Sequence, residues 1–125
     1  MILIMILHWI GDFIFQSRYE ANNKHKELDA LLSHTVNYSL IYLALIPILG
    51  IIDVVLFIMI TLLFHTVQDF FTSKLNSFLY SSRTLYLKLN YKEDANRFEH
   101  MFWISIGLDQ LLHFIQLYLT YQLLT

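Results

Sequence analysis

Cysteine is absent from this chain of 125 residues. That excludes disulfides, thiolate metal sites and a cysteine nucleophile. Charge is scarce too. Only 14% of the residues are Asp, Glu, Lys or Arg, and the formal net charge is −2, whereas soluble domains carry about 25% charged residues. Nothing in this balance offers nucleic-acid phosphates a basic surface, so no nucleic-acid partner is expected. Proline occurs once and glycine three times. There is no internal repeat, low-complexity tract or flexible linker, and residues 1–125 read as one domain.

What fills the chain is apolar. Hydrophobic residues make up 57% of it and the mean hydropathy is +0.53. A single water-soluble core of this length could not bury so much apolar surface, so the composition predicts a membrane protein. Four apolar segments can be read, at 1–16, 31–49, 51–75 and 101–124. The last three have the length of about 17–25 residues that a spanning helix needs. The first, "MILIMILHWIGDFIFQ", is short and requires tilt or a thinned bilayer. It lacks the basic flank and small-residue cleavage site of a signal peptide.

The eight Lys and Arg fall in two places, Arg18 to Lys26 and Lys74 to Arg97. Alternating segments put both connections on one face, which the positive-inside rule makes cytoplasmic. The reading is an all-α integral membrane four-helix bundle of the cell inner membrane, multi-pass, with both termini outside. Its helices are expected at about 1–17, 24–47, 51–76 and 99–124. Asn23 is expected to cap helix two, and Pro47 and Gly50 to mark an outside turn begun again at Asp53. Residues 77–99 read as a long cytoplasmic connection. Within it "LYLKLNYK" alternates with period two, which fits a strand, an extended loop or a stretch lying on head groups.

Polar residues inside the apolar segments carry the functional signal. Four of six histidines have an aspartate four positions away: His8–Asp12, His25–Asp29, His65–Asp69 and Asp109–His113. Chance placement gives fewer than one such pair. Residues four apart share a helix face, so one helix can offer a metal both a nitrogen and an oxygen ligand. His34 adds an imidazole from the second segment. The seven groups His8, Asp12, His34, His65, Asp69, Asp109 and His113 fall in one layer of the cytoplasmic half and are the predicted metal ligands. Gln16, Gln68, Gln110 and Lys74 are expected around them, orienting ligands or meeting a phosphate or carboxylate. His25, Asp29 and His100 read as surface groups, and Trp9 and Trp103 as packing or interface residues.

Mixed nitrogen and oxygen donors without thiolate favour zinc, with manganese or iron also compatible, as one or two ions. The leading expectation is a metal-dependent hydrolase acting on a lipid-linked or membrane-proximal ester or phosphate, with Asp12 or Asp69 as general base. The alternatives are an ion or metal transporter or channel subunit, and a structural accessory subunit whose polar stripes only join helices. The lipid bilayer is the expected partner. A homo-oligomer or a second membrane protein stays open.

The ordered set "HWIGDFIFQS", "NKHK", "LLSH", "HTVQDFFTSKL" and "LDQLLH" resembles the bacterial and phage membrane proteins grouped as domain of unknown function family 3307. That resemblance covers nearly the whole chain and implies a multi-helix membrane fold but no activity. A fainter likeness, of pattern alone, is to membrane-bound metal-dependent hydrolases with His and Asp near the cytoplasmic ends of helices.

Overall fold

In the computed structural model, which describes residues 1–125, the chain is helical almost throughout and forms no strand. α1 spans Ile2–Trp9 and runs into a π-helical turn, Ile10–Ile14. α2 is Arg18–Asn23. α3, Leu28–Leu40, continues through a 3-10 turn, Ile41–Leu45, into α4, Ile46–Leu49. α5, Ile51–Lys88, and α6, Lys92–Leu124, pair along their length, and α3 packs on α5.

The first two expected helices are divided differently. Residues 1–17 are not one helix: the Phe15 N–H reaches back to the Ile10 carbonyl at 3.0 Å, a five-residue step that widens the turn. The close approach of α3 bears on that turn. A Cβ at Gly11 would lie 2.9 Å from Tyr38 Cδ2, so only glycine lets the ring in. Asn23 does not cap the second helix. It is the last residue of α2, and its Nδ2 donates to the Tyr19 carbonyl at 2.9 Å.

The cap is Ser17. Its hydroxyl accepts from the Glu20 N–H at 3.1 Å, while Glu20 Oε2 accepts from the Ser17 N–H at 2.7 Å, a reciprocal capping box. Glu20 Oε1 accepts from the Ser33 hydroxyl at 2.7 Å, which ties α2 to α3. Burial alone would raise the Glu20 carboxyl. The Ser17 N–H and Ser33 hydroxyl outweigh it and hold its pKa below the ordinary value. A carboxyl held low in the fold stabilises fully above its unfolded pKa, about 4.5, and loses that contribution as pH falls through the folded value. Glu20→Ala is expected to cost about 2 kcal/mol. Glu20→Gln should flatten the acid limb of stability, read by thermal unfolding of the purified protein against pH.

The expected connection over 77–99 is replaced by helix. α5 runs twelve residues past 76, and α6 starts at Lys92, so His100 and Glu99 lie inside a helix. The break is three residues long. Asn90 takes a positive φ of 66°, the Asn90 N–H donates to the Leu87 carbonyl at 3.1 Å, and the Tyr91 N–H donates to the Tyr86 carbonyl at 2.9 Å. This is the Schellman ending, for which asparagine is second only to glycine. Glu93 and Asp94 then stand in the first turn of α6, where the dipole favours acids. Arg83 Nε donates to Glu99 Oε2 at 3.0 Å across the hairpin.

Two helical stretches, Leu28–Leu49 and α5, are long and apolar enough to cross a membrane, and Ile2–Ile14 is a shorter apolar helix. Many polar side chains are buried and many large apolar ones exposed. His8, Asp12, His34, His65, Asp69 and His113 are buried, while Ile2, Trp9, Leu63, Phe71 and Trp103 are each more than half exposed. One end of the interior is apolar, filled by Ile4, Leu7, Leu45, Val54, Phe57 and Leu117 with Tyr38 and Tyr42. The titratable side chains lie beyond it.

Candidate metal centre

Four side chains from three separate segments converge on one point. Asp12 comes from the π-helical turn, His34 from α3, and His65 and Asp69 from successive turns of α5. His34 Nε2 lies 3.2 Å from Asp12 Oδ1, 3.2 Å from Asp69 Oδ2 and 3.3 Å from His65 Nε2. His65 Nε2 lies 3.9 Å from Asp12 Oδ1 and 3.7 Å from Asp69 Oδ2. A tetrahedral ion with bonds of about 2.0–2.1 Å holds its ligand atoms about 3.4 Å apart. The five edges straddle that value. All four residues are at most 6% exposed.

Asp69 also faces a second group. Its Oδ1 lies 3.5 Å from His113 Nε2, and Asp69, Asp109 and His113 present donor atoms within 4.8 Å of one another. His113 Nδ1 donates to the Asp109 carbonyl at 2.8 Å. That bond fixes the tautomer and leaves Nε2 as a lone pair aimed at a carboxylate oxygen. Neither His113 Nε2 nor Asp109 Oδ1 has a hydrogen-bond partner. Two acceptors facing each other across 3.5 Å repel unless a cation or proton lies between them.

The surroundings orient these ligands. Gln110 Nε2 donates to Asp12 Oδ2 at 3.0 Å and to Asp109 Oδ2 at 3.3 Å. Its Oε1 therefore accepts from His8 Nε2–H at 3.0 Å, which makes His8 Nδ1 the acceptor of the Tyr38 hydroxyl at 2.7 Å. The Tyr42 hydroxyl is 2.8 Å beyond and completes the chain. Both His8 nitrogens are thus used, and the structure brings His8 to neither ligand group; it supports Gln110 instead. The Tyr38 ring lies flat on His65, with centroids 3.7 Å apart at 4°, and holds an imidazole whose Nδ1 has no partner.

The other expected neighbours divide. Gln16, with its amide oriented to satisfy both ends, donates to the Asp12 carbonyl at 3.1 Å and accepts from Lys24 Nζ at 3.0 Å. Gln68 lines the groove between α5 and α6, its Oε1 buried without a partner. Lys74 does not reach the site; its ammonium sits 3.6 Å from the centre of the Phe70 ring. The lysine that matters is Lys24, which sequence reasoning passed over. Lys24 Nζ donates to Asp69 Oδ2 at 2.7 Å. Burial would lower its pKa, but Asp69 and Asp12 outweigh that and keep the ammonium above the ordinary lysine value. His25 and Asp29 form no pair; Asp29 lies 3.2 Å from the Tyr19 hydroxyl, which donates to Glu27 Oε2 at 2.6 Å.

Fold and site together define an all-helical protein with a buried His/Asp cluster of metal-ligand spacing and two helices able to span a membrane. The chain belongs to the family described as protein of unknown function DUF3307, whose model matches residues 1–125. No curated protein matches it, and no solved structure does.

Proposed function

We propose that this chain is a multi-pass protein of the inner membrane that holds a divalent metal ion, zinc for preference, and hydrolyses a lipid-linked or membrane-proximal phosphate or ester. The observation that carries the reading is the quartet Asp12, His34, His65 and Asp69, with edges of 3.2 to 3.9 Å. The membrane part rests on the apolar exterior around a polar interior and on the clustering of basic residues. Four crossings with both termini outside fit this pattern. α5, at about 57 Å, is longer than a hydrocarbon core of about 30 Å, so the hairpin end carrying Lys74 to Arg97 extends into the cytoplasm.

A bound divalent ion would act as Lewis acid toward a phosphoryl or acyl oxygen and bring a water's pKa near neutrality. The chain's own residues supply the rest. In Asp12, Oδ1 belongs to the quartet and Oδ2 accepts from Gln110. Asp69 is engaged by Lys24 and His34. Asp109, with Oδ1 unpartnered, is the better general base, in place of the Asp12 or Asp69 expected from sequence. The second group offers room for another ion once substrate brings further negative charge. The apolar cluster from Ile4 to Leu117 closes the other end of the interior, which favours a site open to one side over a transport path.

The test is elemental analysis of the full chain purified from membranes in detergent, before and after zinc reloading. One equivalent of metal is expected, lost in His65→Ala. A folded sample that neither contains nor takes up metal would overturn the reading and return the cluster to helix–helix adhesion.

A further inference from the structure

Lys24 also lines a cavity of about 340 Å³, walled in part by Ala21, Tyr80 and Phe102, within the size of small-molecule sites at about 300–1,000 Å³. α5 lines it with Ser73, Asn76 and Ser77, one and two turns beyond Asp69, and α2 and the turn after it contribute Asn22, Lys24 and His25. No aspartate or glutamate is among its lining residues. Ser73, 8% exposed, and Asn76 form part of its wall, though Ser73 Oγ and Asn76 Oδ1 are themselves buried behind it without a hydrogen-bond partner. Lys24 joins the cavity to the quartet, since it lines the one and donates to Asp69 in the other. A smaller cavity that shares Lys24 and His25 is lined by Lys26 and Lys74 and by one acid, Glu27.

The ligand chemistry follows from the donors. An imidazole, amides and hydroxyls around the Lys24 ammonium, which also donates to Asp69, suit an anionic oxygen cluster, for which lysine is a common point-charge partner. We infer that this cavity holds the head group of the substrate, a phosphate ester, with its phosphate at Lys24 beside Asp69. The inference rests on the reading of the quartet as a metal centre that works on a phosphate ester. The same chemistry could arrive as a soluble phosphate ester or as a lipid head group.

The experiment is calorimetric titration of the full chain in phosphatidylcholine nanodiscs with glycerol 3-phosphate, and in parallel lipid exchange from vesicles containing phosphatidylglycerol. Wild type should bind one of the two probes. Asn76→Leu, which fills the cavity, and Asn76→Asp, which keeps the shape and adds a like charge, should each weaken that binding at least tenfold. Binding of glycerol 3-phosphate assigns a soluble source, and capture of phosphatidylglycerol alone a lipid source. Failure to bind either probe, or equal binding by Asn76→Asp, would overturn the inference. Metal content is measured on the same samples. Metal retained with no probe bound refutes the head-group site alone, and no metal with binding intact refutes the metal centre alone.

Discussion

Asp69→Asn should leave the protein without bound metal at either group, whereas His113→Ala should keep one equivalent. Asp69 is the single residue common to both sets of donors, Oδ2 in the quartet and Oδ1 opposite His113. Asparagine keeps the shape and one carbonyl oxygen but loses the charge that binds a divalent ion. A loss of at least 100-fold in metal affinity is expected, since even residues that merely orient ligands cost about 10–100-fold. The substitution also strands the Lys24 ammonium, which is 18% exposed and donates to Asp69 at 2.7 Å. Removing one partner of a buried ion pair costs about 3–5 kcal/mol. The double variant Asp69→Asn, Lys24→Met separates the two effects: it should recover thermal stability and still hold no metal. If instead the aspartate only bonds helices together, asparagine would serve nearly as well, and Asp69→Asn would fold normally with unchanged metal content.

The i, i+4 spacing made part of this centre legible before any coordinates. His65 and Asp69 lie on one face of an unbroken helix, and there periodicity decides what side chains share. His8 and Asp12 have the same spacing, but the π-helical turn at Ile10–Ile14 separates them. Asp12 goes to the quartet and His8 to Gln110 and Tyr38. A period of 3.6 residues cannot show where a helix takes an extra one, although Gly11 marks the place where Tyr38 must fit. Lys24 was hidden for another reason. It belongs to a short segment whose placement depends on the Ser17–Glu20 box and the Glu20–Ser33 bond, so no periodicity leads to Asp69. Lys74 is five residues from Asp69, and that spacing turns it to another face, over Phe70. In the hairpin, alternation in "LYLKLNYK" competed with a helix that ends on a single asparagine. Asn90 followed closely by Glu93 and Asp94 was the readable signal for a tight turn.

Lys24→Met should bind divalent metal at least tenfold more tightly than wild type while losing the phosphate ester. Asp12, Asp69 and Asp109 bring three negative charges to the buried cluster and Lys24 brings one positive charge, if the imidazoles are neutral. The remainder of two negative charges is what one divalent ion neutralises. A low-dielectric interior tolerates little beyond such a balance, which is the reason to expect one ion at rest. Removing the ammonium takes away repulsion toward that ion. Two unit charges about 4 Å apart interact by about 4 kcal/mol at an effective dielectric near 20, so a tenfold change is a lower bound. It also opens the second group, with Asp109 Oδ1 and His113 Nε2 unpartnered, to a further ion. Competition titration with a zinc chelator measures both affinity and stoichiometry. Phosphate-ester affinity should move in the opposite direction, because the same ammonium faces the cavity at Ser73 and Asn76. Tighter metal with weaker ester would tie the two sites to one lysine. Weaker metal would mean that Lys24 holds Asp69 in position instead of opposing the ion, and the single-ion charge balance would fall.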